Sequence, residues 1–145
     1  MNYPQVARSL RDALALTQDQ MAECFNAGGQ PVSADEVPEL LEGLSKVEFV
    51  ILLDGLIAVR RGPGPPRPRV QRVNNNVVLK KLRIALNLHE EDILRIFAAG
   101  GVSLDSRELT PMFRKQGSKN YKTCSDEMLA AFFAGLSKPN KRWPD

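Results

Sequence analysis

The feature that most constrains this chain is self-similarity. Leu10-Arg11-Asp12-Ala13-Leu14-Ala15-Leu16 aligns with Leu82-Arg83-Ile84-Ala85-Leu86-Asn87-Leu88 at an offset of 72, with five of seven positions identical. The same offset pairs Met21 with Ile93, Phe25 with Phe97, Ala27 with Ala99, Gly28-Gly29 with Gly100-Gly101, and Glu36-Val37 with Glu108-Leu109. Further on, Ser45 matches Ser125 and Asp54-Gly55-Leu56 matches Ala134-Gly135-Leu136, now at an offset of 80. The change implies an eight-residue insertion in the second copy, around residues 115–122. Self-similarity at a fixed spacing is the mark of one supersecondary unit used again. The chain therefore reads as two tandem copies, 1–61 and 74–138, with a linker at 62–73 and a tail at 139–145.

Each copy reads as about four helices. In the first, over roughly 5–16, Val6, Leu10, Ala13 and Leu14 recur at helical spacing. Thr17-Gln18-Asp19-Gln20 has the form of a capping box, and the helix it opens stops at Gly28-Gly29. Ser33 through Glu36 opens a third helix ending near Gly43, and Ser45 through Glu48 a fourth. In the second copy Asn76, Asp105 and Ser125 stand at corresponding starts. Long β-branched alternation is absent, so the fold class is all-α. The fourth helices, 49–59 and 128–136, are apolar nearly all round, which predicts central, buried elements. The glycine inside each costs helix stability and so marks a close helix–helix contact, here expected between the two fourth helices themselves, within the chain or across a homodimer.

Charge divides unevenly between the copies. Residues 1–54 carry 3 basic and 9 acidic groups, whereas residues 55–145 carry 17 basic and 8 acidic. Between Asp54 and Glu90 there is no acid, only Arg60, Arg61, Arg67, Arg69, Arg72, Lys80, Lys81 and Arg83. Such asymmetry is the electrostatic signature of a polyanion partner, RNA or DNA first among them. Its alternative is compensation of the basic half by the acidic half, within one fold or a dimer. The linker, with four prolines, reads as a stiff, extended segment. Asn74-Asn75-Asn76 ahead of the basic helix is either a polar recognition surface or a cap plus a turn. Lys80, Lys81 and Arg83 fall outside the apolar stripe Val78, Leu79, Leu82, Ala85 and Leu86, and are expected in solvent.

The chemistry-bearing residues are few. Leu16 through Phe25 resembles the second helix of repressor-type helix-turn-helix domains, but the next helix carries Asp35, Glu36, Glu39 and Glu42, ill-suited to a phosphate-lined groove. In the second copy Arg107, Arg114 and Lys115 lie near the third helix. His89, the one histidine, stands where Thr17 stands in the first copy and reads as a helix cap. Metal binding needs more His and Cys at close spacing than this chain has, and no nucleotide or hydrolase motif is present. Neither a metal, a cofactor nor an enzymatic activity is expected. Cys124 has basic neighbours, Lys119 and Lys122, that lower a thiol's pKa; a reactive thiol is one reading, a small buried apolar residue the other. Two cysteines suit a reducing cytoplasm. No apolar run approaches the length of a membrane helix, and the N-terminus lacks a signal-peptide core.

With these residues laid out, the chain resembles the YehS-like family of small bacterial proteins, a duplicated domain of unknown function. The carrying motifs are NNNVVLKKLRIALNL at 74–88, then Asp92-Ile93 and Ile96-Phe97. Asn120-Tyr121, Cys124, Leu129, Phe132-Phe133 and Gly135-Leu136 continue the match, as do Asp54-Gly55-Leu56-Ile57 and Arg60-Arg61-Gly62. The chain departs from the pattern by lacking, before Ser45, the segment its second copy keeps at 115–124. The resemblance implies a bacterial cytosolic protein and brings no activity with it. Two functions are expected as alternatives. One is a non-catalytic module contacting RNA or DNA through Arg67, Arg69, Arg72, Asn74, Asn75, Lys80, Lys81 and Arg83. The other is a protein-interaction adaptor or homodimer using the apolar helices and the acidic first copy.

Overall fold

The computed structural model describes residues 1–64 and 72–138. Residues 65–71 of the linker, Arg67 and Arg69 among them, and residues 139–145 lie outside the described residues. Among the described residues every regular element is helical, as the sequence requires. The chain divides into two compact units, Met1–Val73 and Asn74–Asp145.

In the first unit, α1 (Tyr3–Ala13) starts at Asn2, whose Oδ1 accepts a hydrogen bond from the Gln5 amide at 3.0 Å, with Pro4 in the first turn where its missing N–H is harmless. It buries Ala7, Leu10 and Ala13. The apolar spacing extends the helix to residue 16, but it stops earlier because Ala15 turns left-handed (φ 52°), letting the Leu16 amide donate to the Arg11 carbonyl at 2.9 Å. α2 (Gln18–Ala27) opens with the expected box: the Gln20 amide donates to Thr17 Oγ1 at 3.1 Å, and the Thr17 amide to Gln20 Oε1 at 2.9 Å. A 3-10 turn at Ala34–Glu36 leads into the short α3 (Val37–Glu42), and α4 (Lys46–Arg61) begins at Ser45 with Glu48 completing its box.

α4 buries Phe49, Val50, Leu52, Leu53, Leu56 and Ile57, so most of its apolar circumference is inside the unit. Its main neighbour is α2. A Cβ on Gly55 would overlap the Cys24 carbonyl of α2, and one on Gly28 would overlap the Ile51 carbonyl of α4. Two glycines thus let two helix backbones touch reciprocally. The close contact implied by the glycine is present, but its partner is α2 rather than the other fourth helix. The physical reason is that the narrowest approach needs a glycine opposite a bare backbone, and Gly28 ends α2 at that height.

The second unit runs α5 (Asn75–Leu86), α6 (Glu90–Ala99), the four-residue α7 (Ser106–Leu109), a 3-10 turn (Thr110–Phe113) and α8 (Asp126–Leu136). α5 begins at Asn74, not at Asn76: Asn74 Oδ1 accepts from the Val77 amide at 2.9 Å, and Asn76 already lies in the first turn, buried. α5 ends at Asn87 in the left-handed conformation (φ 54°), with the Leu88 amide donating to the Arg83 carbonyl at 2.9 Å. α6 and α8 touch as α2 and α4 do. A Cβ on Gly135 would overlap the Ile96 carbonyl, and one on Gly100 the Ala131 carbonyl. Phe97 and Phe132, both fully buried, tilt against each other at 5.2 Å between ring centroids. Each such side chain contributes about 2–3 kcal/mol through burial, which makes this helix pair the unit's centre.

Candidate functional site

The three asparagines before the basic helix have three separate structural tasks. Asn74 caps α5. The Asn75 amide nitrogen donates to the Cys124 carbonyl at 3.0 Å and to Asp126 Oδ1 at 2.8 Å, tying α5 to the start of α8. Asn76, only 6% exposed, donates to the Met112 carbonyl at 2.9 Å and the Lys122 carbonyl at 2.8 Å, while its Oδ1 accepts from the Cys124 amide at 2.8 Å. A buried primary amide with both ends used in this way is a satisfied core group that specifies the position of the chain around it. Two amide hydrogens make Asn75's donor capacity complete, so it has none left for a base or phosphate.

The basic residues of α5 are not all in solvent as their sequence position implied. Lys80 is exposed. Lys81 is buried, at 8% exposure. Arg83 is half-buried: its guanidinium stacks over Phe113 at 4.8 Å and its Nε donates to the Leu88 carbonyl at 3.3 Å. Arg72 is exposed, as are Arg60 and Arg61 at the end of α4. Arg67 and Arg69 lie outside the described residues. Of the eight predicted contact residues, the structure therefore leaves Arg72 and Lys80 exposed, and gives Asn74, Asn75, Lys81 and Arg83 work inside the unit.

A second group of cations gathers where the sequence pattern marks no site. Ser106, Arg107, Thr110, Pro111, Arg114, Asn120 and Lys122 line an open cleft of about 650 Å³. One wall is α7 with the 3-10 turn, the other the segment 114–122. The Lys122 amide donates to the Pro111 carbonyl at 3.1 Å, and Asn76 from below holds carbonyls of both walls, at Met112 and Lys122. Asn120 (φ 69°) and Gly117 (φ 86°) take the left-handed turns that fold the segment back. The sequence signal was present in the basic stretch 115–122 and in Arg107 and Arg114. The spacings that unite them, 36 and 46 residues from Asn76, match no local period.

The remaining candidates are structural. Cys124 is 1% exposed, and burial pushes its thiol up to about 11, with Asp126 adding to the rise and Lys122 opposing it. The basic neighbours thus do not produce the low pKa expected of a reactive thiol, because loss of hydration outweighs them. Cys24 is likewise buried and raised to about 11, first by burial. His89 is the N-cap of α6, its amide donating to Asp92 Oδ2 at 2.8 Å. Among the described residues no cluster of three His, Cys, Asp or Glu side chains is placed to hold a metal ion, and no helix is long and apolar enough to cross a membrane.

A family model described as "Protein of unknown function (DUF1456)" matches residues 75–141. The uncharacterized protein YehS of Escherichia coli (strain K12) is 32% identical over 143 residues, covering 91% of this chain and 92% of that protein. No solved structure matches.

Proposed function

The chain belongs to the YehS-like family of DUF1456 proteins, and from that premise we propose that it is a non-catalytic cytoplasmic helical module that binds nucleic acid. The contacts come from the acid-free stretch of sequence between Asp54 and Glu90, with Arg72, Lys80 and the linker arginines Arg67 and Arg69 meeting phosphates. The observation that carries the reading is this acid-free stretch, in which Arg60, Arg61, Arg72 and Lys80 are exposed, while Lys81 is buried and Arg83 half-buried. The alternative reading is a protein adaptor or homodimer joined through the apolar helices and the acidic first copy; in α4 and α8 Val47 and Val59 are exposed and Ile51 and Met128 half-buried.

The two units are, in this proposal, copies of one ancestral unit joined by a Pro/Arg-rich linker. Support comes from features at equivalent positions: Asn2 and Asn74 as caps, Ala15 and Asn87 left-handed, and the reciprocal glycine pairs Gly28/Gly55 and Gly100/Gly135. Duplication frees one copy to diverge, and only the second carries the basic insertion.

The test is fluorescence anisotropy of labelled single-stranded RNA and duplex DNA at two salt concentrations. Six or more phosphate contacts predict a loss of affinity of about 10³-fold between roughly 50 and 200 mM salt. Replacing Arg67, Arg69 and Arg72 with alanine should weaken binding and flatten that dependence. No binding to either probe at low salt refutes the proposal.

A further inference from the structure

We propose that the cleft between α7 and the segment 114–122 is a binding site for a phosphate group. Arg107, Thr110, Arg114, Asn120 and Lys122 each offer hydrogen-bond donors to it, three of them carry positive charge, and its lining includes no acid. Ser106, at its edge, already donates its hydroxyl to the Glu90 carboxylate, so the other five hold the ligand. Guanidinium forks and hydroxyl and amide donors surrounding one open space match a tetrahedral oxyanion, which accepts hydrogen bonds in every direction. Three cations exceed the charge of one phosphate dianion, so the ligand is neutralised without a metal. No aromatic ring is among the lining residues, so the cleft has no platform on which to stack a base. It recognises the phosphate rather than what the phosphate is attached to.

The cleft is also built rather than incidental. Its two walls come from separate parts of the chain, and the buried Asn76 bonds a carbonyl in each. Arg83, held against Phe113, braces the same turn. A purely solvated loop of basic residues has no need of such an anchor. The inference stands independently of the linker surface proposed above, with which it shares no residue.

The ligand can come from two sources: a free phosphorylated small molecule, or one phosphate of a nucleic-acid strand. Amide chemical shifts of the full chain, followed during titration with inorganic phosphate against chloride at matched ionic strength, provide the test. Saturable shifts are expected at Arg107, Arg114, Asn120 and Lys122, with a dissociation constant of roughly 1 mM or below. The double variant Arg114→Ala, Lys122→Ala removes two exposed side chains and should weaken binding at least about 10-fold while keeping the dispersed spectrum of a folded protein. Absence of saturable shifts beyond the chloride control, or equal binding by the double variant, overturns the proposal. A short oligouridylate then separates the sources. If it moves the same amides, the phosphate of a strand is accepted; if inorganic phosphate alone does so, the ligand is a small phosphorylated molecule. The linker variant Arg67→Ala, Arg69→Ala, Arg72→Ala should lose nucleic-acid affinity yet keep the phosphate shifts, so either reading can fail without the other.

Discussion

Alanine at Gly55 would place a methyl group where the backbone of α2 already is. The new Cβ lies 2.6 Å from the Cys24 carbonyl carbon and 3.0 Å from the Gly28 amide nitrogen, and it overlaps the Cys24 carbonyl oxygen. None of these atoms is the end of a flexible side chain, so relief requires α2 and α4 to part until contacts reach the ordinary 3.4 Å. Overpacking of a close-packed core costs about 1–3 kcal/mol. The upper end applies here, because the helix pair that must separate holds most of the first unit together. Alanine's better helix propensity offsets about 1 kcal/mol of that. The net expectation for Gly55→Ala is a loss of about 2 kcal/mol, or roughly 8–16 °C in melting temperature for a cooperative unit of this size. Gly43→Ala is the control in the same unit: its φ is −117° and no heavy atom lies within 4 Å of the added Cβ, so stability should change by less than about 0.5 kcal/mol. Thermal and urea unfolding followed by circular dichroism compares the two. If Gly55→Ala melts within about 2 °C of Gly43→Ala, the helices are not in backbone contact and the reasoning is wrong.

The same structure sets further outcomes at Ala15, Asn76 and Cys124. Ala15→Gly should raise stability by about 0.5–1 kcal/mol, since it relieves a left-handed alanine and gives back part of the gain in unfolded-chain entropy; an unchanged urea midpoint would mean Ala15 is not strained. Asn76→Ala leaves the Met112 and Lys122 carbonyls and the Cys124 amide without their partner, costing about 2–4 kcal/mol. It should also speed hydrogen exchange in 114–122, and exchange at the original rate would show the segment is held by something else. For Cys124 the folded-state pKa, about 11, lies above its ordinary 9.0, so the folded protein keeps a proton that the unfolded chain releases. That contribution to stability is intact below about pH 9 and is lost as pH rises toward about 11. The urea midpoint should therefore fall more steeply from about pH 8 to about pH 10.5 in the parent than in Cys124→Ala. Iodoacetamide should label native Cys124 at about pH 8 far more slowly than the urea-unfolded chain, and comparable rates would contradict its burial.

The candidate site shows where local reading stops. Thr17, Ser45, Asp105 and Ser125 cap their helices as their sequence pattern states, because a cap and its box lie within four residues of each other. Lys81 and Arg83 carry the same charge as Lys80 and stand close to it in sequence, yet only Lys80 is open to solvent. The difference is set by Phe113 and by what packs on α5, elements some thirty residues away that no helical period identifies. The cleft is the stronger case: Arg107 and Lys122 line one space only because the segment 114–122 folds back and is anchored on Asn76.

By itself, then, the sequence determined the helical class, the helix caps at Thr17, Ser45, Asp105 and Ser125, the self-similarity along the chain and the partition of charge. Each depends on interactions within one or two turns, or on composition, and so is written contiguously. The tertiary structure alone decided the partner of each helix glycine, the burial of Lys81 and both thiols, the separate tasks of Asn74, Asn75 and Asn76, and the convergence of Arg107, Arg114 and Lys122. Those are consequences of desolvation and of backbone contact between segments far apart in the chain, and both depend on what surrounds a residue in space.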